Sequence, residues 1–384
     1  MIDEIVSRET TTPDIKKKTK VFFPNLNGVR AIAALMVVVA HIELHKANFN
    51  IPRIGGVNFL NFGKVGVTIF FSLSGFLITY LLLEERKNYV KVNFQAFYVR
   101  RMLRIWPLYF LIIVFGFFVY PKPASSEALW LSIFFLPNLA FVLNLLPAVF
   151  DTIWSIGTEE QFYIFHPHFF RIKKVEHILY ALILFIIGFF ILDGPIKIYS
   201  HHSHVGEVLA QLFYYARYDN MMIGAIVAVL YFNTKNKTFN FKFQKAFDLL
   251  FNKYVQAIML VLFVGFIYVY ITWLPPQGDL VLSILSAFLI INLCETSTSI
   301  YSLSNSKYQF IGGISYGIYL LHKFPLFLVL YLVKNYMGGT SLVIQNVVIY
   351  AGTFAATIGI ASASYYGYEK HFLTLKKKFQ RITQ

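Results

Sequence analysis

Apolar runs of membrane length recur along this 384-residue chain, and no other feature limits its fold as much. Residues 254–274, "YVQAIMLVLFVGFIYVYITWL", carry no charged side chain. At about 1.5 Å per residue such a run crosses a hydrocarbon core of about 30 Å. Inside that core every backbone amide needs an internal partner, and a helix supplies one within its own segment. The expected fold class is therefore an all-α polytopic membrane protein. About ten transmembrane helices are expected, at roughly 29–45, 66–83, 106–120, 158–172, 176–192, 216–232, 254–274, 280–294, 313–333 and 342–364.

The basic residues orient these spans. With both termini cytoplasmic, roughly 25 of the 34 Lys and Arg residues fall inside and roughly six outside, the other three being Arg30, Arg217 and Lys323 within spans. That bias points to a plasma or inner membrane protein with two cytoplasmic basic tails, 1–20 and 371–384, around one membrane domain, 21–370. The first tail lacks the apolar core and small-residue cleavage site of a secretory signal. One segment, 129–147, "LWLSIFFLPNLAFVLNLLP", does not fit as a span, because counting it would turn the later basic loops outward. Pro137, Asn138, Asn144 and Pro147 favour a broken helix, expected as a re-entrant or interfacial piece on the outer side.

Composition then narrows the function classes. Apolar residues make up 57% of the chain and charged ones only 14%, well below the quarter or so of a soluble domain. The formal charge of +15 needs no nucleic-acid partner, since cytoplasmic membrane loops collect Lys and Arg. A single cysteine, Cys294, excludes an intramolecular disulfide framework and a multi-cysteine zinc site. No inverted repeat and no low-complexity linker is evident.

Polar residues inside these runs are costly, at about 2.5 to 3.5 kcal/mol for a charge at the bilayer centre, so each asks for a reason. In "NLNGVRAIAALMVVVAHIELHK", Arg30 and His41 lie eleven residues apart, which places them on one helix face about 16 Å apart along the axis. Arg30 reads either as a snorkelling cation or as a ligand grip, and His41 either as a bundle hydrogen-bonder or as a general base. His45 adds a second ring one turn on. In the loop before the third span, Arg100, Arg101 and Arg104 either set topology or bind a cytoplasmic phosphate compound, Arg101 and Arg104 sharing a face. In "WSIGTEEQFYIFHP", Thr158 and Gln161 have capping-box spacing, which would put Glu159 and Glu160 in a first helical turn. Either carboxylate would serve to orient an imidazole or bind a sugar hydroxyl, with Tyr163 beside them. Gly63, Gly66 and Gly75 suit close helix packing, with Ser74 among them. His322, in "SYGIYLLHKFPL", reads as a bundle histidine or a substrate contact.

The order of these motifs is more specific than any one of them. The Arg and His of the first span, "GVTIFFSLSGFLI", "RRMLRIWPLY", "WSIGTEEQFY" and "SYGIYLLHKFPL" together resemble the acyltransferase 3 family of membrane O-acyltransferases, over about residues 22–370. The resemblance implies O-acylation of a carbohydrate hydroxyl, with an acyl-CoA, acetyl-CoA by expectation, as donor and no metal. It implies catalytic roles for His41, Arg30 and Glu159, binding of the donor by Arg100, Arg101 and Arg104, and substrate contacts from Ser74, Glu160, Tyr163 and His322. Two departures stand out: Thr68 occupies a position where many members carry Asp, and no appended hydrolase-like domain is present, so a second transfer step outside would need a separate extracytoplasmic transferase. Expected partners are a carbohydrate acceptor and membrane lipid. Between general-base catalysis by His41 and a transient acyl-imidazole the sequence does not choose. The alternative from another class is a transporter or flippase of a glycan precursor, a third an inactive scaffold.

Overall fold

A computed structural model describes residues 19–119, 125–273 and 278–383, and within them the fold is helical. In chain order the helices are α1 (Leu26–Lys46), α2 (Phe59–Tyr89), α3 (Phe94–Val114), α4 (Ser126–Ile133), α5 (Pro137–Val142), α6 (Ile153–Phe165), α7 (Val175–Ser200) and α8 (His204–Ala216). There follow α9 (Tyr218–Asn236), α10 (Gln244–Asp248), α11 (Lys253–Trp273), α12 (Gly278–Cys294), α13 (Ser306–Gly313), α14 (Ser315–Leu321), α15 (Lys323–Tyr336), α16 (Leu342–Ser364) and α17 (Lys370–Lys376). The strands described are two-residue pieces, β1 (Thr19–Lys20) and β2 (Ile382–Thr383), which pair in parallel and tie the two ends of the described chain together.

Among the described residues six helices are long and apolar enough to cross a membrane: Leu26–Phe49, Phe59–Tyr89, Phe94–Phe118, Val175–Ser200, Lys253–Trp273 and Leu342–Phe379. The pair α14 and α15, bent by 50°, makes a seventh if it is one span. The protein is thus a multi-pass membrane protein, but the expected count of ten is not reached. The other three expected spans are α6, only 13 residues long, α12, with 17, and α9, whose polar Asp219, Asn220, Asn233 and Lys235 depress its hydropathy. These three are largely buried, so they can be shorter or more polar than helices that face lipid.

The centre of the bundle is α2, buried over most of its length, with α1 on one side and α9 on the other. Small residues bring these helices together. A Cβ on Gly75 would come 1.8 Å from the Met221 carbonyl oxygen, and one on Gly224 would come 2.0 Å from that of Ser72. On the other face a Cβ on Gly66 would meet the Ala33 carbonyl at 2.6 Å. The packing reading of the glycines therefore holds, and α1 to α2 to α9 is a stack in which backbone meets backbone. By contrast α7 and α11 are exposed over most of their apolar windows, as lipid-facing helices should be.

The segment 129–147 is a broken helix. It is divided between α4 and α5, with Phe135 (φ 59°) and Asn144 (φ 55°) in the left-handed region. Side chains satisfy the carbonyls freed at the break: Gln161 donates to Phe135 O at 2.8 Å and Tyr109 to Ser132 O at 2.7 Å. Such compensation is the condition for irregular backbone at membrane depth.

Candidate active site

Three local features differ from the sequence reading, and the first two move candidate residues. First, α3 starts at Phe94, capped by the Asn93 side chain accepting from Ala96 N at 2.9 Å. Arg100, Arg101 and Arg104 therefore stand on the helix rather than in a loop before it. Second, α6 starts at Ile153, so Thr158 is no cap; its hydroxyl donates instead to Tyr215 O at 3.2 Å. The expected capping box loses to an earlier helix start, and Glu159 and Glu160 sit mid-helix on different faces. Third, residues 371–376 of the basic tail belong to α17, which packs against α3.

Arg30, Arg101 and Arg104 come together. They line a partly open cavity of about 830 Å³, counting the space at its mouth, together with Ser74, Glu159 and Tyr163. Arg30 donates to Asn27 Oδ1 at 2.9 Å, and Asn27 donates to Gln309 at 2.8 Å, so this guanidinium is braced from α13. Arg101 lies over the Phe97 and Tyr163 rings, 5.7 and 5.4 Å from their centroids, and its buried Nε has no hydrogen-bond partner. Glu159 accepts from both the Ser74 and Tyr163 hydroxyls. The cavity is thus a cationic pocket with one carboxylate fixed in its wall by two hydroxyls.

Arg100 and Glu160 stand apart from it. Arg100 donates to Glu85 Oε2 at 3.0 Å and to Phe379 O at 2.9 Å, which fixes the C-terminal segment. Glu160 points the other way and accepts from Trp106 Nε1 at 2.9 Å.

His41 is not in the cavity lining; it lies against His322, whose ring is 6.4 Å from that of the lining residue Tyr319. Its Nδ1 is 2.8 Å from His322 Nε2, with the rings stacked at a centroid separation of 4.9 Å. The other nitrogen of His322, Nδ1, faces two carbonyl oxygens, Tyr319 O at 2.9 Å and Ile318 O at 3.1 Å. Carbonyls only accept, so His322 Nδ1 carries the proton and its Nε2 accepts. His41 Nδ1 must then donate, which leaves the lone pair on His41 Nε2, the arrangement a general base requires. His45 stacks on the opposite side of His41 at 5.9 Å.

Local sequence explains why His322 is placed there. Pro325, two residues into α15, has no N–H and disfavours a continuous helix, and the 50° bend falls at His322 between α14 and α15. The bend is pinned by Lys323, whose ammonium donates to Ala148 O at 2.9 Å and Asp151 Oδ1 at 2.5 Å. Burial pushes the Asp151 carboxyl above its usual range, and the Lys323 charge opposes that.

The aromatic pair Phe70 and Tyr319, 5.9 Å between centroids, belongs to the cavity lining, and the Tyr319 ring lies 6.4 Å from that of His322. Tyr319 Oη is 2.7 Å from Ser155 Oγ. Sequence reasoning quoted the motifs containing Ser155, Tyr316 and Tyr319 but singled out none of the three, although all line the cavity. It also missed the partner of Arg217: that guanidinium forks onto Asp279, at 2.6 and 3.3 Å, and donates to Thr68 at 3.0 Å. The Thr68 position thus gives a hydroxyl, while the negative charge beside Arg217 comes from α12.

Residues 23–366 match the model of the acyltransferase 3 family, an acyltransferase domain. The chain belongs to this family. YrhL of Bacillus subtilis (strain 168), provisionally named a peptidoglycan O-acetyltransferase, is 28% identical over 319 residues, 78% of this chain and 48% of its own. The peptidoglycan O-acetyltransferase OatA of Listeria monocytogenes is 26% identical over 323 residues, 78% of this chain and 49% of its own. The chain spans about half the length of the curated relatives it matches. No solved structure matches it.

Proposed function

We propose that the protein is an O-acetyltransferase that moves an acetyl group from acetyl-CoA, held at the arginine end of the cavity, to a hydroxyl of a cell-surface carbohydrate. The single observation that carries this reading is the His41–His322 pair, which lies next to Tyr319, a residue that lines the cationic cavity. Arg101 and Arg104, with Arg30, are suited to phosphates, because guanidinium forks bind phosphate oxygens in pairs. Relatives named for peptidoglycan O-acetylation support an acetyl donor and a glycan acceptor.

In this mechanism His41 Nε2 takes the proton of the acceptor hydroxyl as its oxygen attacks the thioester carbonyl carbon. The carbon–sulfur bond breaks, the thiolate leaves, and the imidazolium returns its proton to sulfur. His322 holds the neutral tautomer and stabilises the charge that develops on His41. Glu159, fixed by Ser74 and Tyr163, partly offsets the arginines within the cavity wall. With the basic loops inside, the donor end is cytoplasmic, and the acetyl group passes the Phe70–Tyr319 contact to reach His41. Access of the acceptor from the outer side follows from the same orientation. The test is transfer of radiolabelled acetyl from acetyl-CoA to peptidoglycan or surface-glycan extracts by the purified full chain in lipid nanodiscs. Labelled glycan from the wild type and none from His41→Ala is expected. Transfer by His41→Ala at the wild-type rate overturns the mechanism.

A further inference from the structure

Beside the arginine cluster lies a cation that no motif singled out. Lys376, at the end of α17, is only 9% exposed, although it lies in the basic C-terminal stretch. It lines a small cavity with Arg100 and Arg101, and Arg104 and Arg30 are also within electrostatic range of it. Among the described residues none accepts a hydrogen bond from its Nζ. The nearest carboxylate in that small cavity, Glu85, is already taken: Arg100 lies 3.0 Å and Arg381 3.9 Å from its oxygens. Glu159 is held by Ser74 and Tyr163, and Glu369 accepts from Ser364 at 2.8 Å. Six cations, Arg30, Arg100, Arg101, Arg104, Lys376 and Arg381, thus face four carboxylates, Glu85, Glu159, Glu160 and Glu369.

An ammonium crowded among guanidiniums, with little of its side chain in water, is stabilised when an anion joins the cluster. The segment that follows Lys376 is nevertheless tied down. Arg100 grips Phe379 O, Tyr89 donates to Arg381 O at 3.2 Å, and β2 pairs with β1. An ordinary topological lysine would be expected in water, with its charge hydrated.

We propose that Lys376 is a phosphate-binding residue of the donor site, and that the C-terminal segment from Lys370 to Thr383 forms the cytoplasmic wall of that site. This rests on the reading of the cavity as the acetyl-CoA site. The nucleotide end of CoA carries a pyrophosphate and a 3′-phosphate, so it has more anionic groups than Arg101 and Arg104 alone can satisfy. Lys376 adds a compact, multiply donating cation on the side opposite α2.

The experiment uses the full chain in nanodiscs with Lys376→Gln and Lys376→Arg. Acetyl-CoA and inorganic pyrophosphate are titrated by calorimetry, and S-acetylpantetheine, which lacks phosphates, serves as an alternative donor. Lys376→Gln should weaken acetyl-CoA and pyrophosphate by about ten- to a hundredfold, the loss expected for one charged hydrogen bond. It should leave turnover of S-acetylpantetheine unchanged, and Lys376→Arg should recover most of the lost binding. Unchanged acetyl-CoA and pyrophosphate affinity in Lys376→Gln overturns the proposal, as does an equal loss with both thioesters, which marks a structural role. If the wild type transfers acetyl from neither thioester while Lys376→Gln still weakens pyrophosphate, the anion site stands and the donor assignment falls.

Discussion

Removing the acceptor that His322 offers to His41 is the most direct probe of the catalytic reading. In His322→Leu the His41 Nδ1–H loses its 2.8 Å partner, and nothing then selects the tautomer with its lone pair on Nε2. The net worth of one such hydrogen bond is about 0.5–1.5 kcal/mol, and leaving the buried donor unsatisfied costs about 1–3 kcal/mol. If that difference appears in the transition state, where imidazolium forms and needs the bond most, kcat falls by about five- to a hundredfold. A base held in the wrong tautomer can lose up to about 10⁴-fold, which sets the ceiling. His322→Gln keeps a side-chain oxygen that can accept from His41 and an amide that can donate to Tyr319 O, so it should retain more activity than Leu. The assay is steady-state acetyl transfer to glycan alongside acetyl-CoA titration. The expected pattern is a lower kcat with an unchanged donor Kd, because the arginine end of the cavity does not touch His322. A wild-type kcat in His322→Leu, or equal kcat in Leu and Gln at a reduced level, refutes the tautomer argument.

Two further outcomes follow. Arg104→Lys preserves charge and topology but not the planar fork, so acetyl-CoA affinity should drop by about ten- to a hundredfold; unchanged affinity and turnover would leave Arg104 a topological anchor. Gly75→Ala places a methyl 1.8 Å from the Met221 carbonyl oxygen, forcing α2 from α9 at a cost of at least about 1–3 kcal/mol, and thermal unfolding in detergent should fall by several degrees, whereas an unchanged midpoint would mean the two helices part without strain.

What the sequence made legible was what depends on periodicity within one helix. Arg30 and His41 share α1, and Arg101 and Arg104 both reach the cavity, because eleven-residue and three-residue spacings return to the same face. Periodicity alone left Glu159 and Glu160 as a choice of two, and only the family resemblance favoured Glu159; consecutive helical residues point about 100° apart, and Trp106 donates to Glu160. Long-range packing hid the rest. The link from His322 to His41 joins residues 281 apart, and it exists because Pro325 bends a span that reads as continuous in hydropathy. Lys376 looked like one more basic tail residue, since nothing local says that α17 folds onto α3. The count of ten spans is not confirmed for a related reason: α6, α9 and α12 are largely buried by their neighbours, so length and hydropathy do not report membrane crossing for them.

The distance between the two ends of the site is fixed by α1 itself. A Cβ on Gly28 would meet the Leu303 carbonyl oxygen at 2.6 Å and one on Gly312 would meet that of Asn27 at 2.0 Å, so the Arg30 end has little room to shift. At the other end Lys46 is buried against Glu43 and donates to Asn346 at 2.5 Å, while Tyr350 donates to Glu43 at 2.7 Å. An α-helix clamped at both ends holds Arg30 and His41 about 16 Å apart with no hinge between them. On the proposed function, a donor gripped at its phosphates has to bring its reactive carbon to His41 by its own reach, and a thioester on a long flexible arm meets that demand where a short acyl phosphate does not. On that proposal, room for the arm has to come from side chains that line the cavity, such as Phe70 and Tyr319, because the clamped helix does not give it.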